Sequence, residues 1–135
     1  MHKLTLIILI AFVSINLTGQ SKSEVINKGI ETVKVYEQRL DKGFDDKYLV
    51  EETTYDASGR IIEIKETGRK GIIKKWEKYK YDKDGNCIEE IYLTLSGNID
   101  KRVVINYTEG LKVSKEFYNS DGKLYRKKLY EYQYR

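Results

Sequence analysis

The 135-residue chain has no proline, one cysteine and one histidine, and it has no long hydrophobic run after its first fifteen residues. Each scarcity removes a class of function. The single histidine, His2, falls in the first segment, so the remaining chain has no histidine for a Ser-His triad, a His-ligated zinc or imidazole acid–base work. One cysteine, Cys87, cannot close an internal disulfide, which excludes a disulfide scaffold. Cys87 is expected to be buried as a small apolar group, with an intermolecular bridge as the alternative. The short apolar runs exclude a multispan membrane protein, and the length excludes a multidomain enzyme. Glycines occur singly at turn signals, with no helix signal behind them, so no phosphate-binding loop is present.

Twelve tyrosines, three phenylalanines and one tryptophan weigh against a disordered chain. Charged residues make up 34% of the sequence, and Lys and Glu are interspersed, as in Glu63, Lys65, Glu66 and Lys75, Glu77, Lys78. The formal net charge is only +4. Interleaved signs with a small excess describe a solvated surface and not a nucleic-acid groove.

Residues 1–19 read as a signal peptide. His2 and Lys3 precede the apolar run Leu4–Ile15, LTLIILIAFVSI, which has the length of an h-region and is too short to span a bilayer. Cleavage is expected after Gly19 or Gln20; an uncleaved membrane-anchoring N-terminus is the alternative. A lipidated anchor needs a cysteine after the apolar run, and the only cysteine is Cys87. The expected destination is periplasmic or extracellular, with no membrane span after cleavage. Residues 20–31, QSKSEVINKGIE, read as a leader, linker or short helix.

From residue 32 onward the sequence is punctuated by turns. Their glycines fall at 43, 59, 71, 85, 97, 110 and 122, separated by 16, 12, 14, 12, 13 and 12 residues. Regular spacing of this kind indicates an all-β chain. Gly59, Gly85, Gly110 and Gly122 are expected to be structural turn residues with positive φ. Asp56, Asp82 and Asn119 open their turns, where the side chain can accept from the backbone two residues on. Between turns lie eight strand-forming runs: 32–40, 47–55, 60–66, 72–81, 86–93, 99–107, 111–118 and 123–134. Many carry Lys or Glu on both faces, so the sheet is thin. The expected fold is an antiparallel up-and-down meander of about eight strands, forming a twisted open sheet, either single-layered or curled toward a half-barrel.

Three segments share one pattern: Tyr55-Asp-Ala-Ser-Gly59-Arg, Tyr81-Asp-Lys-Asp-Gly85-Asn and Tyr118-Asn-Ser-Asp-Gly122-Lys. The pattern resembles the YD repeat of RHS-type proteins, matched best by Tyr55, Asp56, Gly59 and Arg60. The chain is also similar to small exported bacterial proteins with MORN-like β-hairpin repeats, although the MORN glycine pattern is not kept. The resemblance covers roughly residues 45 to 134 and implies architecture only. RHS proteins wall a shell around a toxin with a far longer chain, so that role does not carry over.

Carboxylates are the remaining candidates for catalysis. The pairs Asp45/Asp46, Glu51/Glu52 and Glu89/Glu90 are adjacent, and adjacent strand residues point to opposite faces. Asp82-Lys-Asp84-Gly85 invites a calcium reading, but counting back from the glycine puts Lys80 at the first ligand position. The expectation is a non-enzymatic protein without metal or cofactor. Aromatic residues are the binding candidates: Trp76 and Tyr79 in one strand, and Tyr130, Tyr132 and Tyr134 at the end of the last. The expected partner is an envelope protein or glycan met at the protein surface; a small apolar or carbohydrate ligand is the alternative.

Overall fold

The computed structural model describes residues 21–43 and 46–135. The signal segment and Asp45 lie outside the described residues. The chain forms one eight-stranded sheet in the order β1-β2-β3-β4-β5-β6-β7-β8, every pair antiparallel, so each strand pairs with its sequence neighbours. The strands are β1 Thr32–Glu37, β2 Tyr48–Tyr55, β3 Ile61–Thr67, β4 Ile73–Tyr81, β5 Cys87–Leu93, β6 Ile99–Thr108, β7 Leu111–Tyr118 and β8 Leu124–Leu129. β1 does not meet β8, and the sheet stays open.

A side-chain clamp builds three of the hairpins. In the β2–β3 turn, Asp56 Oδ1 accepts the backbone N–H groups of Ser58 at 2.9 Å and Arg60 at 3.0 Å. The Gly59 N–H donates to the Asp56 carbonyl at 2.9 Å, with Gly59 at φ 71°. This is a tight turn closed by a left-handed residue that shifts the register by one at Thr54/Tyr55. Asp82 repeats the clamp on Asp84 and Asn86, and Asn119 repeats it on Asp121 and Lys123. The β6–β7 hairpin differs: Glu109 (φ 50°) and Gly110 (φ 78°) make a two-residue turn with both central residues left-handed.

The repeating unit is therefore two strands. Glu51, Glu77 and Val103 stand 26 residues apart, as do Thr53, Tyr79 and Ile105, and Tyr55, Tyr81 and Tyr107. A long-range hydrogen bond recurs with it. Tyr81 Oη donates to the Ile61 carbonyl at 2.6 Å, Tyr107 to Cys87 at 3.0 Å and Tyr132 to Lys112 at 2.8 Å, each reaching back twenty residues.

Register decides which side chains share a face. Val103 pairs with Phe117 and with Glu90, and Ile105 pairs with Lys115. Val103, Ile105 and Phe117 are buried and form the core, with Cys87, Tyr92 and Tyr107 packed against it. Burial of each such side chain contributes about 1.5–3 kcal/mol. The same face receives a short helix, α1 (Lys22–Asn27). Ser21 caps it by accepting from the Glu24 N–H, and the Glu24 carboxylate accepts from the Ser21 N–H at 3.0 Å. Val25 is 1% exposed, so the helix is docked on the sheet. The far face carries charge ladders, including Lys34–Glu52, Lys80–Glu89–Arg102 and Glu116–Lys127.

The last strand is shorter than the sequence suggests. β8 ends at Leu129, so Tyr130, Tyr132 and Tyr134 lie beyond the ladder instead of sharing one strand face. Tyr130 keeps one bond, its N–H donating to the Val113 carbonyl at 3.1 Å. Every β8 residue is exposed, so this edge strand buries little surface of its own.

Candidate functional site

The helix-side face is uneven. At β6 and β7 it is filled by Val103, Ile105 and Phe117, but at β2 to β5 the equivalent positions are polar. Glu77 stands where the next unit has Val103 and Tyr79 where it has Ile105, and Tyr92 pairs with Glu77 as Phe117 pairs with Val103. The face does not close over these residues. It leaves a groove of about 550 Å³, with α1 as one wall through Lys22 and Val25, and the β2–β3 hairpin at one end through Gly59, Arg60 and Ile61.

Two cross-strand rows form the floor. Thr53 pairs with Ile64, Ile64 with Glu77, and Glu77 with Tyr92. Beside it, Glu51 pairs with Glu66, and Glu66 with Lys75. Tyr79 opposite Glu90 completes a checkerboard with Glu77 and Tyr92. Each tyrosine also bonds the glutamate two residues before it on its own strand. Tyr79 Oη donates to Glu77 Oε2, and Tyr92 Oη donates to Glu90 Oε2 at 3.0 Å.

The charges are unequally compensated. Glu90 accepts Lys115 Nζ at 3.2 Å. Lys75 Nζ lies 3.6 Å from Glu66 Oε1 and 3.4 Å from Glu77 Oε2, so one ammonium serves two carboxylates. Glu51, directly opposite Glu66, accepts the Thr53 hydroxyl at 3.0 Å. Two like charges facing across a ladder are destabilising. Burial and then the adjoining carboxylates push the Tyr79 and Tyr92 hydroxyls well above the ordinary tyrosine range. Burial, followed by the Cys87 sulfur, pushes Tyr81 up to about 12. These phenols therefore remain donors at neutral pH.

Of the residues singled out by sequence, Tyr79 lines the groove. Trp76 lies on the opposite face, one residue away in the same strand. Its indole Nε1–H donates to Glu63 Oε1 at 2.5 Å, Lys65 Nζ sits 4.2 Å and Lys78 Nζ 5.8 Å from its ring centroid, and its edge packs toward Gly97. The ring is occupied by the protein's own groups. Tyr132 and Tyr134 are exposed at the β8 end, away from the groove. Sequence reasoning passed over Glu51, Glu66, Lys75, Glu77, Glu90 and Tyr92. The 26-residue repeat combined with strand alternation is the signal that places them together.

Half-buried Cys87 donates its thiol toward the Glu89 carbonyl at 3.6 Å, and burial pushes its pKa up. That makes it a poor thiolate. Among the described residues no cluster of His, Cys, Asp and Glu is arranged to hold a metal ion, and no helix is long and apolar enough to cross a membrane. No protein-family model, curated protein or solved structure matches the chain.

Proposed function

We propose that the chain is an exported, non-enzymatic binding module of the bacterial cell envelope that holds its partner against the helix-side face of an open sheet. The observation that carries this reading is the groove itself. Its volume of about 550 Å³ falls in the range of ligand sites, and its polar lining replaces what the adjoining unit uses as dry core. The open sheet supports a protein or glycan partner, because such a surface is reached from outside without any barrel mouth. The non-enzymatic reading is supported by the carboxylates being engaged: Glu77 with Tyr79 and Lys75, and Glu90 with Tyr92 and Lys115.

A second reading is favoured by β8. It is exposed at every residue, its outer edge is unpaired among the described residues, and Leu129 is 72% exposed. A strand from a partner can extend the sheet there.

One experiment separates the two. The purified protein is used to capture partners from a source-cell envelope extract and to probe a glycan array, beside Glu51→Arg/Glu66→Arg and Tyr125→Lys/Leu129→Lys variants. Loss of the partner in the first variant alone supports the groove. Loss in the second alone supports the edge. Retention by both overturns both readings. Export is tested by fractionating source cells and measuring the mass of the released chain, which is expected to lack residues 1–19 or 1–20.

A further inference from the structure

We infer that the β8 edge receives an extended acidic segment of a protein partner as an added strand. This rests on the edge reading above. Two independent observations carry it: the open ladder and the place of the charge. β8 ends the sheet, so its outer row of backbone N–H and C=O groups has no strand beside it among the described residues. An added strand satisfies such a row, and its side chains decide which strand is accepted. Residues 1–122 hold twenty basic and twenty acidic side chains. Residues 123–135 hold five basic and one acidic, so the net charge of +4 lies wholly in the last thirteen residues. Arg126, Lys127 and Lys128 stand at its centre, consecutive and exposed in the free strand.

Inside the sheet, bases are answered by acids across the ladder. Lys34 pairs with Glu52, Lys80 with Glu89 and Lys127 with Glu116, at 3.5, 2.7 and 3.0 Å. β8 has a neighbour on one side alone, and that side does not answer all of its charge. Arg126 lies over the Phe117 ring, 3.9 Å from its centroid. Lys128 stands opposite Lys115, whose ammonium meets Glu90 at 3.2 Å, and no acid lies within ion-pair distance of Lys128 among the described residues. Like charges directly opposite are destabilising, and an acid on the outer side offsets them. Alternation puts Arg126 and Lys128 on one face and Lys127 on the other, so consecutive carboxylates on the incoming strand reach all three. Exposed Leu124 and Leu129 flank them and suit apolar residues at its ends. The chain's own edges do not supply such a strand. A second β8, paired antiparallel and centred on these bases, sets base against base. β1 carries Lys34 and a single acid, Glu37. The edge therefore repels its own copies and admits an acidic strand.

The test is an amide chemical-shift and hydrogen-exchange titration of the purified protein with capped Thr-Val-Glu-Glu-Glu-Val-Thr. Its glutamine counterpart, the same acidic peptide N-methylated at its three glutamates, phosphatidylglycerol vesicles and heparin are the comparisons. The acidic peptide is expected to shift residues 124–129 and slow their exchange, and the glutamine peptide to bind more weakly. Lys128→Gln should weaken the acidic peptide by up to about fivefold, the value of one cross-strand charge pair. A lysine that only guards the edge predicts the opposite sign, because its removal would ease any pairing. The substitution also relieves Lys115, so the urea midpoint should hold or rise, which separates lost binding from lost folding. Equal binding of the glutamine peptide overturns the acidic class while the edge stands. Equal binding of the N-methylated peptide, which keeps the charge and lacks the donors, overturns the strand. A stronger response of residues 124–129 to vesicles or heparin overturns the protein source. Absence of any shift there overturns the inference, and the edge reading fails separately if Tyr125→Lys/Leu129→Lys still captures the partner from extract.

Discussion

Replacing Gly59 with alanine tests how α1 is held. Gly59 has φ +71°, and an added Cβ would lie 2.9 Å from Ile26 Cγ1, 3.0 Å from the Lys22 carbonyl oxygen and 3.1 Å from Lys22 Cγ. Gly122 has nearly the same backbone, φ +77°, with nothing within 4 Å of the same position. A left-handed conformation costs an L-residue about 1–2 kcal/mol, and both variants incur that cost. Only Gly59→Ala also strikes a helix backbone atom, which cannot swing aside as a side-chain tip can. The helix must strain or lift. Overpacking costs about 1–3 kcal/mol. Lifting uncovers Val25, now 1% exposed, at about 1.5–3 kcal/mol. Gly59→Ala should therefore lose about 1–3 kcal/mol more than Gly122→Ala in urea unfolding. Amide exchange at Val25, whose N–H donates to the Ser21 carbonyl at 3.1 Å, should accelerate only in the first. Equal losses with unchanged Val25 protection would refute the docking argument.

Ile105→Ala should cost about 2–5 kcal/mol, while Ile99→Ala in the same strand, 46% exposed, should stay within about 0.5 kcal/mol in urea unfolding. Trp76→Ala should lower stability by about 1–3 kcal/mol yet leave partner capture unchanged, because the indole is engaged by Glu63 and Lys65. At high pH, phenols with raised folded values favour the fold below the unfolded tyrosine value of about 10 and lose that contribution as pH rises through the folded values. Tyrosinate absorbance should show Tyr79, Tyr81 and Tyr92 lagging behind the rest, and simultaneous titration of all twelve would contradict the burial described. Hydrogen bonds from the Asn86 side chain and backbone hold the Asp82 carboxyl below its ordinary value, so its contribution is present above about 3.9 and fades as pH falls through the folded value. Asp82→Asn should keep the turn, as Asn119 does in the third copy, and abolish that acid dependence of amide exchange at Asn86.

The strand ladder was legible because glycine and Asx residues mark where the backbone must reverse, and the reversal chemistry is local. Leu111–Tyr118 and the starts of most strands follow directly from it. The end of β8 was not legible, because Tyr130, Tyr132 and Tyr134 alternate like a strand, whereas beyond Leu129 the ladder gives way to single bonds to β7, from the Tyr130 N–H to Val113 and from Tyr132 Oη to Lys112. The helix at Lys22–Asn27 is too short for periodicity to reveal, although Ser21 and Glu24 stand at capping-box spacing. The groove was hidden for a different reason. Its acids come from four strands, and their convergence depends on the one-residue register shifts at Thr54/Tyr55, Glu66/Thr67 and Lys80/Tyr81, which hydrophobic patterning does not encode. The side of Trp76, by contrast, follows from simple alternation with Tyr79.

The strict neighbour-to-neighbour order of the meander has a mechanical consequence. β1 and β8 lie at opposite edges, seven inter-strand steps or about 34 Å apart. Tension applied between the two edge strands pulls along the hydrogen bonds of the ladder and not across them. The sheet therefore opens like a zip, loading few bonds at a time. β8, exposed at every residue, should peel first, and the tyrosine bonds that reach back twenty residues act as stitches that each opening step must cut. Such a sheet yields to a weak pull and recloses hairpin by hairpin, because each strand needs only the one before it as a template.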